Sequence, residues 1–440
     1  MFNEFIIYIL SQYLNKKTNL NLSIMKKLLL LAVFALATAA MYAGGYRVSL
    51  QGNKSLAMGH TGVAVINSSE LVFFNPAGLV YLEDKLSISG GAFGVFSNVA
   101  YQNEATGDFA RTDSPVGTPF YLYASYKAAD WLAFGLGVYT PYGSSVEYED
   151  DWAGSHLVNN IDLAAIFIQP TVSLKFNDKL SVGGGPIFVT GSVNFNRNLN
   201  RTLTDLDGNR SEVTVDATGV TEWGWTAGIM FRPTEDLTIG ANYRSEIILD
   251  AKDGDADFEN VPNSPLTPFE DTTFDASLPL PAELTVGMSY KFCDKWLFAF
   301  DYNRTFWDVY ESLDIDFASP NNPDSQNLRN YKNASIYRFG LQYDVTSMFT
   351  LRAGYYFDES PVQEGYFAPE TPRNDSNNFT AGLTFNITEH FQIDASFLYS
   401  RFKEIDASYD YYYENGRPVP FKGTYKSNAF VPGLGLTYKM

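Results

Sequence analysis

The sequence predicts an all-β protein, a transmembrane antiparallel β-barrel of about fourteen strands with an N-terminal hatch in its lumen. Three observations lead there. From Leu86 onward, segments of about ten residues, the length that crosses a bilayer when tilted, alternate apolar and polar side chains. The connections between them are alternately short and long. Ahead of them stands Glu70-Leu-Val-Phe-Phe-Asn-Pro-Ala-Gly-Leu-Val-Tyr-Leu82, two apolar runs flanking a set of turn formers, which follows no strand pattern.

The alternation is clearest in three segments. Phe391, Ile393, Ala395, Phe397 and Tyr399 share one face, and Gln392, Asp394, Ser396, Leu398 and Ser400 the other. Trp296, Phe298, Phe300 and Tyr302 alternate with Leu297, Ala299, Asp301 and Asn303, and Leu237, Ile239, Ala241 and Tyr243 with Thr238, Gly240, Asn242 and Arg244. An apolar face against a polar one at period two is the mark of a strand. Aromatic residues make up 16% of the chain, with 29 Tyr and 34 Phe, against 18% charged residues. Such a composition favours strands and supplies rings suited to a membrane boundary.

Short turns fall at 128–130, 177–179, 234–236, 293–295, 346–348 and 388–390, and long polar loops at 140–160, 196–218, 251–280, 313–333, 359–376 and 403–425. Loops sorted by length at the two ends describe an outer-membrane barrel rather than a secreted sandwich. Six short turns pair twelve strands, and one strand at each end, about 86–100 and 426–439, completes fourteen. Closure satisfies every backbone group, as lipid demands.

Residues Met25 to Ala43 have a positive start, an apolar middle and a small-residue end, the layout of a secretory signal peptide. Residues 1–43 are therefore read as an upstream extension and a cleaved signal peptide, with cleavage after Ala43 or Ala40. Residues 85–440 form the barrel. A lumen of fourteen strands is too wide for wall side chains to fill. The segment 44–84 is accordingly expected to fold inside it as a plug, with a helix around Ala57–Val65 followed by the Asn75-Pro76-Ala77-Gly78 turn. As a periplasmic extension it would expose Phe73, Phe74, Leu79 and Tyr81.

Other classes are disfavoured. The chain carries a net charge of −19, a poor match to nucleic acid. The single Cys, Cys293, and the scattered His60, His156 and His390 leave no metal cluster, and no cofactor is expected. A nucleophile-elbow motif is absent, so no enzyme is expected.

The run Gly44-Gly-Tyr-Arg-Val-Ser-Leu-Gln-Gly52, then Ala57-Met-Gly59, Gly62, Ala64 and Asn75-Pro-Ala-Gly-Leu79, closely resembles the hatch of the FadL family of outer-membrane transporters for long-chain fatty acids and other hydrophobic compounds. Gly135-Leu-Gly-Val-Tyr-Thr-Pro-Tyr-Gly143, Trp152-Ala-Gly154, Gly240-Ala-Asn-Tyr-Arg-Ser245, Leu278-Pro-Leu-Pro281 and Gly433-Leu-Gly-Leu-Thr-Tyr438 extend the resemblance along the chain. It implies a fourteen-stranded barrel with a lumenal hatch in the bacterial outer membrane. It also implies a route: capture on a groove among the outer loops, a pocket inside the barrel, and sideways exit at an inward kink of the third strand as the hatch rearranges. Here that strand is about Trp131–Tyr139, and Gly135 and Gly137 are either its bending points or small residues packed on the hatch.

The function expected is passive transport of hydrophobic compounds, with long-chain fatty acids as the first cargo, and a fatty acid needs a greasy channel and very few cations. Alternation turns Arg244, Arg338 and Arg352 inward, either to grip a carboxylate or to pair with lumen acids such as Glu246 and Asp358. Phe73, Phe74, Leu79 and Tyr81 either line the pocket or pack the hatch to the wall. Glu149, Asp150 and Asp151 make the capture loop acidic, which leaves room for neutral aromatic or aliphatic hydrocarbons. A general porin is the remaining rival. Expected partners are the hydrophobic cargo, outer-membrane lipid and the barrel-assembly machinery, for a chain working as a monomer. The terminal Tyr438-Lys-Met440 departs from the usual aromatic end, with Tyr438 and Met440 still alternating outward.

Overall fold

The computed structural model describes residues 46–149, 151–262, 269–372 and 374–440. The expected signal peptide, Gly44, Gly45 and Asp150 lie outside these. Fourteen wall strands follow in order: β1 (Leu86–Phe93, Phe96–Asn103), β2 (Phe109–Arg111, Phe120–Ala129), β3 (Leu132–Glu147), β4 (Asn160–Asn177), β5 (Leu180–Asn198), β6 (Glu212–Phe231) and β7 (Leu237–Arg244, Ile247–Glu259). They continue with β8 (Thr272–Leu280, Glu283–Phe292), β9 (Trp296–Thr305, Ile315–Phe317), β10 (Ala334–Asp344), β11 (Phe349–Asp358), β12 (Ser376–Asn386), β13 (Phe391–Phe402, Ile405–Tyr409) and β14 (Phe421–Lys439). Each pairs antiparallel with its sequence neighbours, and β14 pairs with β1, from Ser87↔Lys439 to Asn103↔Gly423, so the sheet closes.

Period two decides which side chains meet lipid. On β9, Trp296 and Phe298 are exposed, while Ala299, Asp301 and Asn303 are wholly buried in the lumen. Rings gather at two levels, the belts that mark both membrane interfaces. Near the short turns Trp296 stacks on Tyr343 at 4.2 Å and Phe349 on Phe385 at 5.1 Å. Toward the long loops Tyr399 stacks on Phe430 at 4.9 Å.

The loops at 140–160 and 403–425 are shorter than expected, because β3 runs to Glu147 and β13 and β14 add Ile405–Tyr409 and the stretch from Phe421. Strands β4, β5 and β6 reach 18, 19 and 20 residues. Lipid needs only about 9 to 11 of them. The outer part meets water on one side, so its polar sequence reads as loop although its backbone stays paired.

The N-terminal segment is compact and buried. Helix α1 (Asn53–Ala57) stops where the Ala57–Val65 helix was expected to begin, because Gly59 and His60 take φ of 67° and 59°, the left-handed conformation that ends helices. Its partner α2 (Leu71–Phe74) leads into a 3-10 turn (Pro76–Tyr81). Asn75 Oδ1 accepts from Ala77 N at 3.2 Å, and Pro76 starts the turn, where its missing N–H costs nothing. Glu70 ties the two halves together by accepting from Lys54 N and Ser55 N, both at 3.1 Å, and from the Ser55 hydroxyl at 2.7 Å.

Bonds to the wall reach the segment from many strands. Asp301 of β9 accepts from Gly62 N at 2.8 Å and Val63 N at 3.1 Å. Ser181 of β5 donates to Ala77 O at 2.6 Å, Ser289 of β8 to Ala64 O at 2.7 Å, and Thr380 of β12 accepts from Gly59 N at 2.9 Å. At the same level the wall offers glycine: Gly183, Gly228, Gly240, Gly287, Gly340 and Gly354, where a Cβ would strike the segment or its contacts. Backbone thereby lies on backbone. At Gly354 the obstacle is the Gly59 main chain, which cannot rotate aside. Gly354→Leu should leave the barrel folded but lift this turn, raising single-channel conductance in planar bilayers; wild-type conductance in a folded variant would contradict that seating.

Candidate functional site

Strand β3 leaves the wall beyond Tyr139. Its ladder with β2 ends at Tyr121↔Tyr139 and is met again at Thr112↔Tyr148, and its register with β4 slips between Tyr139 and Tyr142. From Tyr139 to Val146 every residue is buried, where a wall strand would alternate. Pro141 sits at the slip, and a proline cannot donate to a ladder.

The first described residues pair with the bent strand. Val48 N donates to Pro141 O and Gly143 N to Tyr46 O, both at 2.8 Å. Together the two segments stand between two cavities. Tyr46 and Ser144 border one cavity, Arg47 and Ser145 another.

The first cavity, about 70 Å³, is walled by Ile161, Leu163, Val193, Val220, Leu249 and Leu278. Among the described residues no Lys or Arg lines it. Its one carboxylate, Glu370, is held by Arg329 in a buried ion pair. Tyr46 forms part of the lining, packed edge-on against Tyr310 at 5.4 Å with its hydroxyl donating to Pro279 O at 3.1 Å. The second cavity, about 100 Å³, is more mixed, with Arg47, Asp358, Asn378 and Asn428, and it extends to Ser114 in the interruption of β2 beside the bent β3.

One ion pair pins the partition. Arg47 Nη2 and Nε reach the two carboxylate oxygens of Glu283 on β8 at 2.7 and 3.2 Å. Asn303 Nδ2 donates to the same carboxylate at 3.1 Å and the Tyr142 hydroxyl at 3.4 Å. Burial works against the Arg47 charge, but the Glu283 carboxylate outweighs it and holds the guanidinium above the ordinary arginine pKa.

The three expected arginines face the lumen but do not converge. Arg244 lies 4.2 Å over the Phe73 ring and donates to Phe73 O at 3.2 Å; Glu246 is exposed instead of beside it. Arg352 donates to Gln342 at 2.9 Å and to the Thr384 hydroxyl. Arg338 keeps a buried Nη2 without a partner. Arg338 and Arg352 sit on either side of the Gly340↔Gly354 pair, against which the Met58–Gly59 turn presses, so the N-terminal segment separates them.

The expected hatch residues pack the segment to the wall rather than line a cavity. Phe73 meets Tyr139 at 5.2 Å, Phe74 meets His60 at 4.9 Å, Leu79 lies against Gly135, and Tyr81 stands by Arg232 at 4.9 Å. Gly135 and Gly137 occupy unbroken ladder opposite Ser125 and Tyr123, their open faces on Val72. The bend falls at Thr140–Pro141 instead. Glu283, Asp301 and Pro141 carry more of this site than the residues singled out from sequence. Pro141, a proline inside a strand-like run, was the legible signal.

A closed barrel in a membrane, with its N-terminal segment packed on the inner wall, an apolar cavity inside and a break in its wall, is a transport channel. The chain belongs to the family described as outer membrane protein transport protein (OMPP1/FadL/TodX), whose model matches residues 34–440. It is thus an outer-membrane transporter of hydrophobic compounds and not an enzyme. Among its relatives, the long-chain fatty acid transport protein of Escherichia coli is 23% identical over 92% of this chain and 98% of its own. A FadL homologue of Pseudomonas aeruginosa superposes with TM-score 0.75 at 19% identity, covering 90% of this chain and 99% of the homologue. The toluene transporter TodX of Pseudomonas putida gives 0.70 at 17%, covering 91% and 99%.

Proposed function

We propose that the protein carries a small, neutral hydrophobic molecule through the apolar cavity between β4 and β8 and releases it sideways through the break between β2 and β3. The observation behind this reading is the cavity lining, apolar and without a cation among the described residues. A carboxylate taken into such a site would lose its hydration with no cation to offset its charge. The N-terminal segment acts as the hatch: it blocks the straight path, and Tyr46 and Val48 bond to the bent β3 at the side of the cavity.

Long-chain fatty acid is the second reading, supported by the unpartnered Nη2 of Arg338. Transport is passive and by the monomer, since one barrel holds the whole path. Mass spectrometry of the organic extract from protein purified out of its native membrane separates the cargoes: neutral hydrocarbons support the first reading, acyl chains lost in Arg338→Gln the second, and detergent alone neither. Leu278→Trp, which fills the cavity, should cut uptake of toluene into proteoliposomes by about tenfold if binding there limits transport.

A further inference from the structure

A larger cavity lies among the outer loops. It measures about 650 Å³ and is roofed by the sequence Tyr409-Asp-Tyr-Tyr-Tyr-Glu-Asn415, between β13 and β14. That roof is fixed. Tyr413 and Glu414 pair with Pro418 and Arg417 in a small hairpin whose tip residues, Asn415 and Gly416, take positive φ. Glu414 is bound by the Arg201 guanidinium at 2.8 Å, and Tyr411 stacks on Tyr366 at 4.3 Å.

Beneath the roof lie His156 and Arg197. The His156 imidazole is almost wholly buried under the Tyr412 ring at 4.6 Å, and its Nε2 has no partner. Burial keeps it neutral, with its pKa pushed down to about 3. Arg197 donates only to neutral oxygens, His156 O and Ser325 Oγ, each at 3.2 Å. Asp324 and Asn327 complete a polar rim.

The geometry points to a saccharide site. Aromatic rings offer flat apolar faces to the C–H side of a sugar ring, and fixed amide, carboxylate and guanidinium groups match its pairs of hydroxyls. Tyr413 is 57% exposed at the mouth, as a stacking platform must be. A greasy cargo would find little here to bury against. The sugar is either the oligosaccharide of the outer leaflet's own lipopolysaccharide or a glycan from outside the cell.

Calorimetric titration of the full-length protein in detergent tests this. One arm uses delipidated core oligosaccharide from the native membrane, the other a panel of neutral and acidic free oligosaccharides. Saturable binding in either arm, weakened at least about tenfold by Tyr413→Ala and by Arg197→Gln, supports the site and names its source. Tyr413 is exposed, so its variant folds, and heat-dependent gel mobility checks Arg197→Gln. No heat from either arm at millimolar sugar, or binding unchanged in Tyr413→Ala, overturns the proposal.

Discussion

Deleting residues 46–82 should turn a closed channel into a wide, unselective pore. Wall strands such as β9 and β12 point Asp301, Asn303 and Thr380 inward, and without the segment these groups would face water, as the lumen of a porin does. The wall has its own closed ladder and would survive. Conductance in planar bilayers is expected to rise by roughly tenfold or more, as for the water-filled lumen of an open barrel, and cells carrying the variant should admit large polar antibiotics. A folded deletion variant with wild-type conductance would show that something other than this segment closes the lumen. The deletion also removes Tyr46, so hydrocarbon uptake should lose its saturation and become simple leakage.

The second large effect is expected at the Arg47–Glu283 pair. Arg47→Met leaves the Glu283 carboxylate buried among Asn303 and Tyr142 without its counter-charge, and Glu283→Met does the same to Arg47. Each single change should cost about 3–5 kcal/mol in the folded, partitioned state. The double change Arg47→Met, Glu283→Met replaces both charges by apolar groups and should recover most of that loss. The readout that separates gating from plain stability is amide exchange at Val48 and Gly143, whose N–H groups hold the partition. Fast exchange there in the single variants alone, with β9 and β12 still protected, is the expected pattern. Uniform loss of protection would mean that the pair supports the barrel and not the partition.

These two expectations differ in how much of each was legible beforehand. The wall could be read from sequence. Trp296, Phe298 and Phe300 face out and Asp301 and Asn303 face in because side-chain direction in a strand depends on nothing beyond the neighbouring residue. The short turns, the strand count and the family followed from equally local signals. The helix expected at Ala57–Val65 failed because a local apolar run was given more weight than Gly59 and Gly62, and the wall needed a tight turn there to lay backbone on Gly340 and Gly354.

The site was another matter. Arg244, Arg338 and Arg352 were placed correctly on the inner face, but that face circles a lumen cut in two by the N-terminal segment, and alternation cannot say which side an inner residue reaches. Arg47 finds Glu283 across 236 positions of sequence, a pairing that exists only after fourteen strands have fixed their registers and closed. The sequence alone determined the barrel, its lipid face and its turns, since each rests on contacts between neighbours. Tertiary structure decided where β3 leaves the wall, which charges pair and where apolar space remains, because those depend on which distant side chains the closed sheet brings together.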